Sequence, residues 1–389
     1  MPDSWIWNPS IECMNKNDLA ELQLKRLKMQ VHRLFSTAGY YRRKMKELGV
    51  SPDDIKSLDD LKKLPFTTKD DLRELQPFDH MVVSLEEVVE VHGTSGTTGE
   101  PVFMYYTARD IENWSEVMAR SLASAGLTKK DILQITPSFS LFTGGFGFFY
   151  GARKIGAFIV PTGPGFSRRQ IYVMMKLGTT MIAGVANYAL RLAEVAYEMG
   201  IDPAKDTKVR KGVFGAEMWS DSLRKKIEKI WDMETFDIYG MAELYGPGTA
   251  IDCQYHSGLH VWEDHNTKTC SCGRTHIKID RIQGRTDDMF IINGVNIWPS
   301  AIETVLFKYP LIGNEYQIIV KKTNGGDKLL IKVESIRNLT EQEKEVLSKK
   351  LQYEIKETIL VTPDIEIVDP NTLPRSEGKA KRLYIIEES

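Results

Sequence analysis

Residues 91–102, Val-His-Gly-Thr-Ser-Gly-Thr-Thr-Gly-Glu-Pro-Val, place small and hydroxylated side chains between two apolar segments. Gly93, Gly96 and Gly99 let the backbone come close to a ligand, while Thr94, Ser95, Thr97 and Thr98 supply hydroxyl donors. Amides and hydroxyls together can wrap a polyphosphate. This is no Walker loop: Gly-Lys-Ser/Thr is absent, and strand-forming Val102, Phe103, Tyr105 and Tyr106 follow instead of a helix. The alternative is an ordinary hairpin loop rich in Gly, Ser and Thr. Two further turns carry an acid behind a glycine, Phe214-Gly215-Ala216-Glu217 and Tyr239-Gly240-Met241-Ala242-Glu243. At a strand end either carboxylate can face a ligand or a magnesium ion. Each could equally be the acid that favours the start of a helix.

Cys253, His260, Cys270 and Cys272 form a C-x6-H-x9-C-x-C arrangement whose soft ligands suit a closed, tetrahedral, structural zinc ion. His256, His265 and His276 compete for the nitrogen position, and free thiols beside solvated histidines are the alternative. Residues 137–151, Pro-Ser-Phe-Ser-Leu-Phe-Thr-Gly-Gly-Phe-Gly-Phe-Phe-Tyr-Gly, mix aromatics with glycines. That composition, with Gly144 and Gly145 among the glycines that allow close backbone approach, suits a pocket wall for a flat apolar ligand; a tightly packed core turn would use the same letters.

These groups must be held by a chain too long for one ordinary core, so two domains are expected. A formal net charge of −2 gives no basic surface for nucleic acid or an anionic membrane, which leaves a small molecule as the expected partner. No secretory signal stands at the start, and the most apolar window, 139–161, is interrupted by Arg153 and Lys154, so a cytoplasmic protein is expected. Three cysteines within twenty residues of one another point to metal more than to disulfides. A homodimer is left open.

Apolar periodicity predicts helix over 17–48, short capped helices at 57–64 and 67–75, and a helix over 107–125. Strand candidates at 131–136, 155–160, 180–184, 211–215 and 235–239 alternate with helical patterns at 168–176, 188–199 and 220–231. That rhythm predicts a parallel α/β sheet with ligands at the carboxyl ends of its strands. From Gly284 the pattern changes to a helix ending near Tyr309, strands at 316–321 and 329–333 joined through Asn324-Gly-Gly-Asp327, a helix at 340–357 and a strand at 364–368. The division expected is a large α/β domain over 1–283 and a small α+β domain over 284–389.

With these pieces in order the chain resembles the adenylate-forming (AMP-binding) superfamily, and within it the phenylacetate-CoA ligase family. The resemblance rests on HGTSGTTGEP at 92–101, LFTGGFGFFYGA at 141–152, FGAE at 214–217, YGMAE at 239–243, CSCGRTH at 270–276, GRTDDMFIINGVN at 284–296 and PRSEGKAKR at 374–382. It implies that ATP activates a carboxylic acid to an acyl-adenylate, which coenzyme A then takes up as a thioester. On that resemblance Thr94, Ser95, Gly96, Thr97, Thr98 and Gly99 hold the phosphates. Gly215, Ala216 and Glu217 line the adenine pocket, Tyr239 with Gly240 stacks on the base, and Glu243 binds Mg2+. Lys379 bridges carboxylate and α-phosphate, an electrostatic contribution of about 3 kcal/mol. Arg285 meets ribose or phosphate, Asp287 is the hinge of the small domain, and Gly294 faces the pantetheine arm. Phe139 and Phe142 wall the acyl pocket, which favours an aromatic, phenylacetate-like acid.

The family also carries several dozen residues before its Cys-x-Cys, including barrel strands and an aspartate that holds both ribose hydroxyls. Here 265–269 alone separate Asp264 from Cys270. A shortened β-barrel part is therefore expected, together with weaker ATP binding, by about 1.5–3 kcal/mol for each lost charge-assisted bond. Other readings follow: transfer of the acyl group to a carrier protein, or binding of nucleotide and acid without efficient turnover.

Overall fold

A computed structural model describes residues 5–94, 100–265, 269–282, 289–292, 295–322, 327–375 and 381–387. Its contacts divide the chain into two compact units, Met1–Gly163 with Phe236–Asp280, and Pro164–Thr235 with Arg281–Ser389.

In the first unit Lys16–Thr37 and Gly39–Glu47 are separate helices where periodicity predicted one, because Ala38 is extended (φ −99°, ψ 107°) and buried between them. The helix Ala108–Ser124 falls where the sequence placed it, started by a Thr107/Asp110 capping box and burying Trp114, Met118 and Leu122. Ile132–Ile135 pairs in parallel with Phe158–Pro161. Between them the structure departs from the reading of 137–151 as wall or turn: Thr143–Ile155 is a helix. Its glycines hide it from propensity arguments, yet packing requires them. A Cβ on Gly147 would lie 2.8 Å from the Trp114 ring and 2.7 Å from Pro247, and one on Gly151 would lie 2.6 Å from Met118. The strand expected from 155 accordingly begins at Phe158.

Glu234–Met241, Gly246–Ile251, Leu259–His265 and His276–Ile279 then follow as successive antiparallel neighbours. The run ends at His276–Ile279 without returning on itself, so the expected shortened barrel is no closed barrel among the described residues. An exposed edge invites pairing with other chains. Here the N-terminal segment attaches at its start: Thr275 donates its backbone N–H to Glu12 O (3.1 Å) and its hydroxyl to Met14 O (2.7 Å).

The second unit pairs Met181–Gly184 in parallel with Lys211–Gly215, every residue but Lys211 buried. Continuous burial explains why these strands read as apolar runs. Asp364–Val368, Lys328–Ser335, Ile312–Lys322 and Leu383–Glu387 form a four-stranded sheet, in that order, mixed in direction. Pro299–Leu306 and Glu341–Ile359 pack on it through Ile302, Val305, Leu347, Leu351 and Ile355. No helix among the described residues is long and apolar enough to cross a membrane.

Candidate functional site

Val88–Gly93 and Phe103–Thr107 pair antiparallel and bring the two ends of the glycine-rich loop together. Thr94 closes its base: the Thr94 N–H donates to Val102 O (3.0 Å), and the Thr94 hydroxyl accepts the Val102 N–H (3.0 Å). Ser95, Gly96, Thr97, Thr98 and Gly99 lie outside the described residues. His92, just before the loop, is buried among Tyr106, Trp114 and Phe146. Its Nε2 meets Glu90 at 2.5 Å, its Nδ1 meets Leu141 O at 3.1 Å, and the Gly93 N–H donates to that same oxygen at 2.9 Å. The root of the loop is thus stitched to the aromatic segment. Of the residues assigned to the acyl pocket, Phe139 is in edge contact with Phe146 (centroids 5.5 Å apart), while Phe142 is 44% exposed. Gly144 and Gly145 begin the helix, and a Cβ on Gly145 would meet Ser138 O at 2.6 Å.

Tyr239 stands half-buried two residues before the end of the strand Glu234–Met241. At Gly240 a Cβ would fall 1.9 Å from Gly246 O, so the crossing of the two neighbouring strands dictates this glycine. Glu243 stands in the short turn Ala242–Leu244, 3.6 Å from Lys69 Nζ. The Tyr106 hydroxyl fixes that turn by donating to Tyr245 O (2.9 Å) and Ala242 O (3.3 Å). Burial raises the Tyr106 phenol well above its usual range, so it remains a donor.

The four metal candidates do come together. One ligand atom from each of Cys253, His260, Cys270 and Cys272 lies within 4.8 Å of the others. A tetrahedral zinc with such ligands needs separations of roughly 3.3–3.8 Å, so a small contraction suffices. The Cys253 thiol donates to Cys272, which pushes Cys253 up and pulls Cys272 down, as expected of a thiol and thiolate sharing one proton. His260 Nε2 is 3.5 Å from the Cys272 sulfur. Of the competing histidines, His256 is engaged by Asp252 (2.8 Å) and His276 is buried beside Trp262. The side chain of His265 lies outside the described residues.

In the second unit the buried strand Lys211–Gly215 delivers its end to Ala216, whose φ of 67° is a left-handed conformation unusual for a residue with a Cβ. Glu217 follows. Its carboxylate accepts the Asn187 N–H (2.8 Å) and the Asn187 side-chain amide (3.1 Å) at the start of the helix Ala186–Glu198. Burial nevertheless outweighs these bonds and lifts Glu217 to about 7. Lys379, Arg285, Asp287 and Gly294 lie outside the described residues.

Sequence reasoning missed a charged cluster that joins 164–235 to 281–389 within this unit. Glu303 accepts the Ser220 N–H (3.0 Å) and the Tyr316 hydroxyl (2.9 Å). Lys226 donates to Gly313 O (3.1 Å), and burial lowers it to about 8. Arg382 lies deep in the unit, donating to Glu315, to Asn314 O (3.1 Å) and, at 3.4 Å, to Asn187 Oδ1. Arg382 closes the PRSEGKAKR motif, where no role attaches to it; the available signal was its place one residue before the apolar strand Leu383–Glu387.

Residues 30–280 match the AMP-binding enzyme family and residues 294–385 the AMP-binding enzyme C-terminal domain. The chain is 36% identical to phenylacetate-coenzyme A ligase of Escherichia coli K12 over 421 aligned positions, covering 96% of each chain. It is 33% identical to the enzyme of that name from Thermus thermophilus, covering 97% of this chain and 99% of that one. Among solved structures it is similar to a 2-hydroxyisobutyryl-CoA ligase in the postadenylation state with 2-HIB-AMP, at TM-score 0.91 and 26% identity, covering 99% of this chain and 93% of that one. Against the same ligase with 2-HIB-AMP and CoA in the thioesterification state the TM-score is 0.70 at 27% identity, covering 100% and 94%.

Proposed function

The chain belongs to the phenylacetate-CoA ligase family of AMP-binding enzymes, and from that premise we propose that it is an AMP-forming acid–CoA ligase whose acid is aromatic and phenylacetate-like. The observation that carries the ligase reading is the near-full-length likeness, at 26% identity, to a ligase holding an acyl-adenylate, and the aromatic acid is supported by the 36% identity to phenylacetate-coenzyme A ligase. In the first step a carboxylate oxygen attacks the α-phosphorus of ATP and the bond to the β-phosphate breaks, releasing pyrophosphate. In the second, the CoA sulfur attacks the acyl carbon, AMP leaves, and the thiol proton passes to solvent.

Thr94, with its backbone fixed at the loop base, would set the root of a phosphate cradle formed with Ser95, Gly96, Thr97, Thr98 and Gly99. Gly215, Ala216 and Glu217 would meet the base, Tyr239 would stack on it, Arg285 would reach ribose or phosphate, and Lys379 would neutralise the α-phosphate as charge moves to the leaving group. Glu243 would hold Mg2+, which supplies charge neutralisation on the phosphates. Asp287 would be the hinge at the boundary of the small domain that begins at 284. Phe139, against Phe146, would wall the acyl pocket together with Phe142, which supports the aromatic acid. Cys253, His260, Cys270 and Cys272 would hold a structural zinc, with no open position for chemistry.

The alignment with the Escherichia coli enzyme is longer than the 389 residues of this chain, so it must be gapped here. That favours a second reading, a family member that binds nucleotide and acid with little turnover. Acid-dependent exchange of pyrophosphate into ATP decides between them. Exchange strongest with arylacetic acids is expected; exchange with aliphatic acids alone would overturn the aromatic assignment, and none with any acid would favour the second reading.

A further inference from the structure

Two arginines flank the stretch 376–380 that contains Lys379, and both are anchored. Arg375 donates to the buried Glu334 (2.8 Å). Arg382 bonds to Glu315, to the backbone oxygens of Asn314 and Tyr316 (3.1 and 3.3 Å), and to the Asn187 side chain (3.4 Å). Glu315, Asn314 and Tyr316 belong to the same sheet as the strand that Arg382 precedes. Asn187 does not; it stands in the helix Ala186–Glu198. The opposite end of the same amide donates to Glu217, as does the Asn187 backbone N–H. One side chain therefore spends its acceptor on the end of the lysine-bearing stretch and its donor on the acid of the Gly-Ala-Glu turn.

We propose that Asn187 is a positioning residue for adenylation: its amide ties the turn that meets the nucleotide base to the segment carrying Lys379, and the tie is made in the adenylating pose and released for thioester formation. This rests on the two-step reading above, and it adds a residue that no motif of the sequence marked. Three observations support it. The contact is the sole hydrogen bond that Arg382 makes to 164–235 among the described residues. Ser220 to Glu303 and Lys226 to Gly313 bring the same two segments together and leave Asn187 as the member that touches a nucleotide motif. Finally, the match at 0.91 to a postadenylation state against 0.70 to a thioesterification state of the same ligase fits contacts that belong to one pose. The simpler account is that Asn187 and Glu217 merely secure a helix start.

The two accounts separate by half-reaction. In the full-length protein Asn187→Ala should lower kcat for pyrophosphate exchange by about tenfold or more with less than about threefold change in KM for ATP, and should leave thioester formation from synthetic acyl-adenylate plus CoA within about twofold. In an Arg382→Ala background the same change should cost no further exchange, because the tie is already cut. Asn187→Asp, isosteric but with a charged acceptor oxygen facing Glu217 in place of the amide donor, should show the same split if the alanine variant folds poorly. Equal loss in both half-reactions, or full additivity with Arg382→Ala, would reduce Asn187 to a structural residue. If the unaltered chain exchanges no pyrophosphate with any acid, the functional reading fails and the tie is judged by amide hydrogen exchange. Faster exchange over 382–387 in Asn187→Ala then supports the tie, and unchanged protection overturns it.

Discussion

Each unit buries a charged cluster, and the two clusters are built on opposite terms. In the first, Arg274 and Glu12 are both 0% exposed and bond at 2.8 Å, with Arg274 also donating to Trp5 O and lying over the Trp262 ring. One acid meets one base, next to the Cys/His group, and the N-terminal segment is fastened in place. In the second, Glu217, Glu303 and Glu315 all lie near Arg382, and burial pushes all three carboxyls up despite the guanidinium. Lys226 nearby is pushed down. Such a cluster holds its members at a cost. A matched pair suits a joint that never opens, and, on the two-step reading proposed above, a mismatched one suits a joint that opens on every turnover.

Metal removal should have the largest effect on the first cluster. Protein purified without chelator should contain about one zinc per chain. Its removal should cost several kcal/mol, read as a large fall in Tm, and should make the segment before Met14 newly sensitive to protease, because Thr275 and Arg274 lie directly after Cys272. Metal-free protein with four titratable thiols and an unchanged Tm would mean that the first cluster stands without help.

Next in size is Arg274→Met, which strands the Glu12 carboxylate in a dry site and should cost about 3–5 kcal/mol in urea unfolding. Arg274→Met with Glu12→Leu should recover much of that loss. A cost under about 1 kcal/mol for the single change would erase the distinction between matched and mismatched clusters.

The smallest effect sharpens the other side. Glu217 titrates near 7 in the folded chain against an ordinary 4.5, so between these values the folded state binds the extra proton and stability falls as pH rises. The fall attributable to Glu217 is at most on the order of 3 kcal/mol. Glu217→Gln should remove that slope and be the more stable protein at pH 8, with little difference at pH 4.5. An identical pH dependence in both proteins would show that Glu217 carries no such penalty.

Much of this was legible beforehand where burial is simple. Lys211–Gly215 falls on residues read as a strand because a run facing a core on both sides has few other options, and Asp364–Val368 does so because its apolar residues alternate with the exposed Asp364 and Glu366. The gathering of Cys253, His260, Cys270 and Cys272 was legible because thiols and imidazoles are few in the chain and stand out by type. Thr143–Ile155 was not, since its glycines answer to Trp114, Met118 and Pro247, neighbours that no local pattern names. Asn187 and Arg382 were hidden for a related reason. Their chemistry depends on a contact across 195 residues, and an asparagine on a helix or an arginine in a basic tail carries no mark of its partner.

The clasp between Glu12 and Arg274 spans 262 residues, which gives it a place in time as well as in space. On a ribosome adding roughly 5–20 residues per second, the N-terminal segment waits on the order of 15–50 s for Arg274 to be made. Throughout that interval Trp5 and Ile6 lack the Gly273–Arg274 turn they settle against. Nascent-chain folding of the first unit therefore finishes from both ends at once, and a bulky fusion ahead of Trp5 should slow maturation more than one placed after Ser389.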